Sequence, residues 1–142
     1  MDNRPAPSWS AVGTLALLIT VAAVAGPAAP KIRTVGYFRA NNGEVIKTKA
    51  FSHAAEADIR ADAMAEPHRA YRMMAVYYFS EGKGIPGQVV SSASNIDDVN
   101  DLLYEGQGVP AWRYAFMWYT NKGTPDFIDC HQEPGNDLCR HK

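Results

Sequence analysis

Two arginine–tyrosine pairs, Arg72 with Tyr78 and Arg113 with Tyr119, stand at the same spacing in two aromatic-rich stretches, residues 70–82 and 111–123. A guanidinium offers a planar fork for a carboxylate or phosphate, and a tyrosine offers a ring face and a hydroxyl. On one surface, these four side chains would hold a small anionic or ring-containing ligand, or would form part of a contact with a protein partner or a second copy of the chain. Neither use calls for a cofactor, and none is expected.

A second group lies in the C-terminal tail. Cys130 and Cys139 are separated by eight residues that include Pro134 and Gly135. In an oxidising compartment this pair reads as a disulfide closing a short loop. A ring of that size is worth about 2–3 kcal/mol through the entropy it removes from the unfolded chain. His131 and His141 flank the cysteines, so a Cys/His metal site is the alternative. The cysteine spacing is long for a zinc knuckle, and no metal is expected.

Other ionisable residues point away from catalysis. The chain lacks the nucleophile elbow, the zinc-protease motif, the phosphate-binding glycine loop and the dinucleotide fingerprint. Glu56 and Asp58 are two apart on an expected helix and diverge, so they make no carboxylate pair. Asp97, Asp98 and Asp101 fall in the first turns of another helix, where the dipole accounts for them. His53 and His68 read as surface or capping residues. Asp126, Asp129, Glu133 and Asp137 make the tail acidic without the close alternate spacing of a calcium loop.

The 142 residues are 46% apolar and 20% charged, the composition of one ordinary globular domain. A formal charge of −1 gives no general attraction to nucleic acid or anionic lipid, so no nucleic-acid partner is expected despite the arginine-bearing aromatic strands. The stretch from Trp9 to Gly26 carries no charge, follows a polar start and contains Ala23-Val24-Ala25, a small-x-small pattern. That order predicts a signal peptide over residues 1–25, with the domain at 26–142 acting in the periplasm or as a secreted protein. An uncleaved anchor over residues 9–26 is the alternative, and only then would the membrane be a partner.

The elements that must position these residues follow from periodicity and turn chemistry. Strands are expected over residues 32–39 and 44–51 around the turn Asn41-Asn42-Gly43, then a helix capped by Ser52 and stopped by Pro67. The plan repeats as a strand over 71–79, a return strand over 87–93 and a helix over 96–104, with Ile96, Val99, Leu102 and Leu103 on one stripe. Strands over 112–120 and 126–130 complete the chain. An offset of 41 residues brings Tyr37, Tyr78 and Tyr119 into register, as an internal repeat would.

The fold class is α+β: an antiparallel sheet of ββα-ββα-ββ units with two helices packed on one face. Strand alternation carried across the repeat groups Tyr71, Met73, Ala75, Tyr77 and Phe79 with Trp112, Tyr114, Phe116 and Trp118 as the helix-covered face. It groups Arg72, Met74, Val76 and Tyr78 with Arg113, Ala115, Met117 and Tyr119 as the functional face. The expected function is a small non-enzymatic binding or accessory protein outside the cytoplasm, acting through that mixed face. A small-ligand-binding protein or a hydrolase using the same face is the alternative.

Overall fold

The computed structural model describes Gly26 and residues 28–139. The signal segment expected over residues 1–25, and with it the anchor alternative, lies outside the described residues. No helix among the described residues is long and apolar enough to cross a membrane.

The chain begins with a hairpin of β1 (Lys31–Arg39) and β2 (Glu44–Ser52). The expected Asn-Asn-Gly turn closes it, with Gly43 at φ +83° supplying the left-handed backbone that a side chain would resist. Helix α1 (Glu56–Ala65) follows, then β3 (Met73–Ser80), a four-residue helix α2 (Gln88–Ser91), helix α3 (Ile96–Glu105), β4 (Tyr114–Tyr119) and β5 (Asp126–Asp129). The strands lie side by side in chain order, so an α+β fold built on a five-stranded sheet is present.

Four expectations need correction, the last of them the placing of both helices on one face. The sheet is mixed, because β2 and β3 run parallel, from Glu44 beside Met73 to Phe51 beside Ser80. The α1 crossover carries the chain back to the end from which β2 started, and a connection of that length gives a parallel pair. Residues 87–93 form no return strand. They fold over β1 as α2, where Tyr37 N–H donates to Ser91 Oγ at 3.1 Å and Thr48 Oγ1 donates to the Pro86 carbonyl at 2.5 Å. This crossing needs two glycines: a Cβ on Gly87 would lie 2.8 Å from the Val35 carbonyl oxygen, and one on Gly36 would lie 2.9 Å from that of Gly87. Ser52, expected to cap α1, ends β2 instead; the Ala55 N–H donates to Asp58 Oδ2 at 2.8 Å and the helix starts there.

The two longer helices also cover opposite faces. Ile59 and Ala63 of α1 pack on Val45, Met74, Val76, Tyr78, Tyr114, Phe116 and Trp118. Val99 and Leu103 of α3 pack on Ile46, Ala75, Tyr77, Phe79, Ala115 and Met117, together with Trp112. Register decides this: Met73 lies opposite Tyr119, Ala75 opposite Met117 and Tyr77 opposite Ala115. The 41-residue offset paired each β3 residue with a β4 residue of the other alternation, and a slip of one residue turns every side chain over.

Helix α1 buries only an isoleucine and an alanine, so apolar contact alone holds it weakly. Charge does the rest. Lys47 and Lys49 alternate on β2 and rise towards the helix on the same side. Lys49 Nζ lies 2.6 Å from Asp62 Oδ2 and 2.5 Å from Glu66 Oε1, and Lys47 Nζ lies 2.6 Å from Glu66 Oε2. The Tyr78 hydroxyl donates to Asp62 Oδ2 at 2.8 Å. Burial and then the Asp62 carboxylate push the Tyr78 phenol well up, so it stays a neutral donor.

Candidate functional site

Tyr119 ends β4 and stands opposite Met73, the first residue of β3, on the α3 side of the sheet. Tyr119 is 42% exposed, whereas the other aromatic residues of β3 and β4 are buried. Three adjoining recesses share Tyr119. The first, about 380 Å³, lies between the sheet and α3. Ile46, Met73, Ala75, Tyr77 and Met117 come from the strands; Asn100, Asp101, Tyr104 and Glu105 come from α3; Leu138 of the tail completes the lining with Tyr119. A second recess of about 420 Å³ continues around the end of the sheet past Glu44, Arg72, Thr120 and Asn121. The third is bounded by Tyr119, Asn121 and Lys122.

Sequence places these groups through simple rules. Met73, Ala75 and Tyr77 alternate on β3, and Met117 and Tyr119 alternate on β4, so all five face α3. Asn95 caps α3 by accepting from the Asp98 N–H at 2.9 Å, which sets the phase of the helix. Val99 and Leu103 then point inward, while Asn100, Asp101 and Tyr104 reach the recess. The tail is tied down at Leu138, whose carbonyl accepts from Trp112 Nε1 at 2.8 Å. The disulfide Cys130–Cys139, with a Cα separation of 5.3 Å, closes the loop that carries it.

The Tyr77 and Tyr104 hydroxyls are 3.0 Å apart. Burial pushes the Tyr77 phenol well up, and the neighbouring Tyr104 adds to that; burial also raises Tyr104. Both stay neutral across ordinary pH and can donate or accept hydrogen bonds, but neither is a ready phenolate. On the open side, Arg72 pairs with Glu44 and Lys122 pairs with Asp126. The basic groups near Tyr119 are thus already matched by acids, and the recess under α3 is lined by carboxylates, hydroxyls, an amide and thioethers.

The structure does not bring the four expected residues onto one surface. Arg72 and Tyr119 meet at the groove. Tyr78 is buried beneath α1. Arg113 sits at the other end of β3, where its backbone N–H donates to the Tyr78 carbonyl at 2.8 Å. Its guanidinium donates through Nε and Nη2 to Asp129 Oδ1 and Oδ2, at 2.8 and 2.9 Å, and through Nη1 to His131 Nδ1 at 2.5 Å. These bonds hold the Asp129 carboxyl below the usual carboxylate range.

Alternation across the wrong register hid Met73, Ala75 and Tyr77 from the sequence, and the dipole account of Asp101 hid a residue that also lines a recess. The available signal was Asp101 and Tyr104 three apart on α3, hence on neighbouring turns of one side. Both cysteines are used in the disulfide, and no group of three or more His, Cys, Asp and Glu side chains placed to hold a metal occurs among the described residues. His68, read as a surface or capping residue, is buried: its Nδ1 lies 2.9 Å from the Glu66 carbonyl oxygen and its ring packs edge-on to Trp118. Compared with known proteins, the chain matches no family model, no curated protein and no solved structure.

Proposed function

We propose that the protein is a non-enzymatic binding protein that works outside the cytoplasm and holds a small ligand in the groove around Tyr119. The observation that carries this reading is the groove itself: an exposed tyrosine at the junction of three recesses, next to a pair of hydrogen-bonded phenols. The recess of about 380 Å³ is the size of a small-molecule site. The residues expected to form one partner face lie on two covered faces, Met74, Val76 and Tyr78 under α1 and Ala115 and Met117 under α3, which weakens the partner reading. Export is supported by the tail disulfide and by the apolar N-terminal run in the sequence.

The test begins with the mass of the protein recovered from outside the cells, expected to start at Gly26. A chemically broad library is then screened by ¹H–¹⁵N NMR. Ligands should shift the amides of Asn100, Tyr119 and Asn121, and Tyr119→Ala should weaken them roughly tenfold, about the value of one good aromatic contact. Hits that map elsewhere, or no hit in any chemical class, would overturn the groove reading.

A partner or self-association role keeps one surface. Strand β1 pairs with β2 alone, and Tyr37 on it is 38% exposed. The bulge between Thr34 and Gly36 and the basic ends Lys31 and Arg39 blunt that edge. A stable dimer in sedimentation, broken by Tyr37→Glu, would favour this second reading.

A further inference from the structure

We propose that the hairpin turn between β1 and β2 is a self-modification site: the Asn42 side chain deamidates through attack by the Gly43 amide nitrogen, and the isoaspartyl product loosens the groove edge at Arg72 and Met73. This goes beyond the ligand-binding reading and does not depend on it.

Asn42 is the one asparagine of the sequence that precedes a glycine. Ring closure presses the next backbone nitrogen against the asparagine carboxamide, and a Cβ beside that nitrogen would obstruct the approach. The turn adds three conditions. Asn42 is exposed, so water reaches the carboxamide and ammonia can leave. The Glu44 N–H donates to Asn42 Oδ1 at 3.3 Å, which folds the carboxamide back along the Gly43 peptide and draws electrons from its carbon. The Gly43 N–H donates to the Ala40 carbonyl at 3.2 Å, at the long end of the usual range, so this nitrogen is only lightly held.

The chemistry needs only water. The Gly43 nitrogen loses its proton to solvent base and attacks Asn42 Cγ. The N–Cγ bond forms, the Cγ–Nδ2 bond breaks, and Nδ2 leaves as ammonia with a proton from water. The succinimide then takes up a water molecule. Hydrolysis at Cγ gives aspartate in an ordinary backbone. Hydrolysis at the main-chain carbonyl of residue 42 gives isoaspartate, in which the chain runs through Cβ and Cγ and the α-carboxylate stands outside it. Water is consumed, ammonia is released, and no atom changes oxidation state.

The isoaspartyl product is the one that reaches the groove. The Gly43 carbonyl accepts from the Arg72 N–H at 2.9 Å and from the Met73 N–H at 3.4 Å, which ties the turn to the start of β3. Arg72 and Met73 line the second recess beside Tyr119, together with Glu44, the ion-pair partner of Arg72. An extra main-chain carbon immediately before Gly43 displaces that carbonyl. The aspartyl product brings the same new charge without the extra carbon.

The experiment incubates the disulfide-bonded protein and a synthetic peptide of residues 40–47 at mildly alkaline pH, followed by digestion and tandem mass spectrometry. Isoaspartate is scored by enzymatic methylation of its carboxylate. Asn42 should convert in the folded protein no more than roughly tenfold more slowly than in the peptide, the factor set by opening the Gly43–Ala40 bond. Asn136 is the internal control, because its Oδ1 also accepts from the amide two residues on, that of Leu138 at 3.0 Å, but Asp137 follows it. Asn136 should stay intact while Asn42 is half converted. Lower pH should slow the conversion, and Asn42→Gln should remove it. In the isoaspartyl form the Arg72 and Met73 amides should exchange with deuterium roughly fivefold to tenfold faster, whereas Asn42→Asp should leave them unchanged.

Conversion in the peptide with none in the folded protein, or loss at Asn136 as fast as at Asn42, would overturn the site. Unchanged exchange at Arg72 and Met73 in the isoaspartyl form would overturn its link to the groove. Neither result bears on whether a ligand shifts Asn100, Tyr119 and Asn121, so the groove reading stands or falls by its own test.

Discussion

Arg113 gives its charge to the fold. Its side chain is bonded to both oxygens of Asp129 and to His131, and it lies over the Tyr114 ring at 5.1 Å. The Asp129 side chain is only 5% exposed, so removing the guanidinium leaves a nearly buried carboxylate without its cation. Arg113→Ala should therefore cost about 2–3 kcal/mol, the usual worth of hydrogen bonds to a charged group, measured by urea unfolding at neutral pH. The pH dependence has a definite sign. Because Arg113 holds the Asp129 pKa below its unfolded value near 4, the stabilisation is complete above about pH 4 and is lost as pH falls through the lower folded value. Arg113→Ala should flatten the loss of stability on the acid side. An unchanged acid slope would mean that another carboxylate governs it. Tyr119 is the contrasting case at this scale, an exposed ring whose loss should affect ligand and leave the fold nearly intact.

Helix α1 depends on buried charge more than on apolar area. With Ile59 and Ala63 as its buried residues, it is tethered by Lys49, whose side chain is 8% exposed, to Glu66, which is 7% exposed. Lys49→Ala should cost about 3–5 kcal/mol, since it removes the cation from Asp62 and leaves the buried Glu66 with Lys47 alone beneath the helix. Arg33→Ala, which breaks the exposed pair with Glu81, should leave stability nearly unchanged in the same unfolding assay. Equal effects from the two substitutions would show that the buried network does not hold α1. Replacing Lys49 and its partners together by apolar residues of similar volume should cost far less than Lys49→Ala, because no charge is then stranded.

At the scale of the molecule, the tail links stability to the groove. The disulfide closes the loop that ends at Cys139, and Leu138, next to it, both accepts from Trp112 and lines the recess under α3. The double variant Cys130→Ser, Cys139→Ser should lose about 2–3 kcal/mol by loop-closure entropy and should bind groove ligands more weakly than the parent under conditions where both are folded. Unfolding curves together with titration of a groove ligand check both effects. Full affinity in the folded double variant would show that the tail wall is dispensable. The mixed sheet sets the rest of the layout: α1 on one face and α3 with the tail on the other leave the groove at the end of the sheet where β3 begins and β4 ends.

By itself the sequence determined what short-range chemistry controls. The hairpin around Gly43, the Asn95 cap of α3, the stop at Pro67, all five strands to within about two residues of their ends, and the Cys130–Cys139 pair all follow from turn residues, caps and periodicity within a few positions. Tertiary structure alone decided the register of β4 against β3, and that choice carried the rest. Alternation says which residues of one strand share a face but not which face of the next strand they join, and one residue of slip exchanges them. So Arg72 and Tyr119 were legible as a pair at one site, while Tyr78 and Arg113 went to the core and to Asp129. The return strand expected over residues 87–93 became α2 because close packing of Gly87 against Val35, and the bond from Tyr37 to Ser91, outweighed the local β-forming valines. Tyr77, Tyr104 and Asp101 meet only because a sheet and a helix far apart in the chain are pressed together, a contact that local periodicity does not encode.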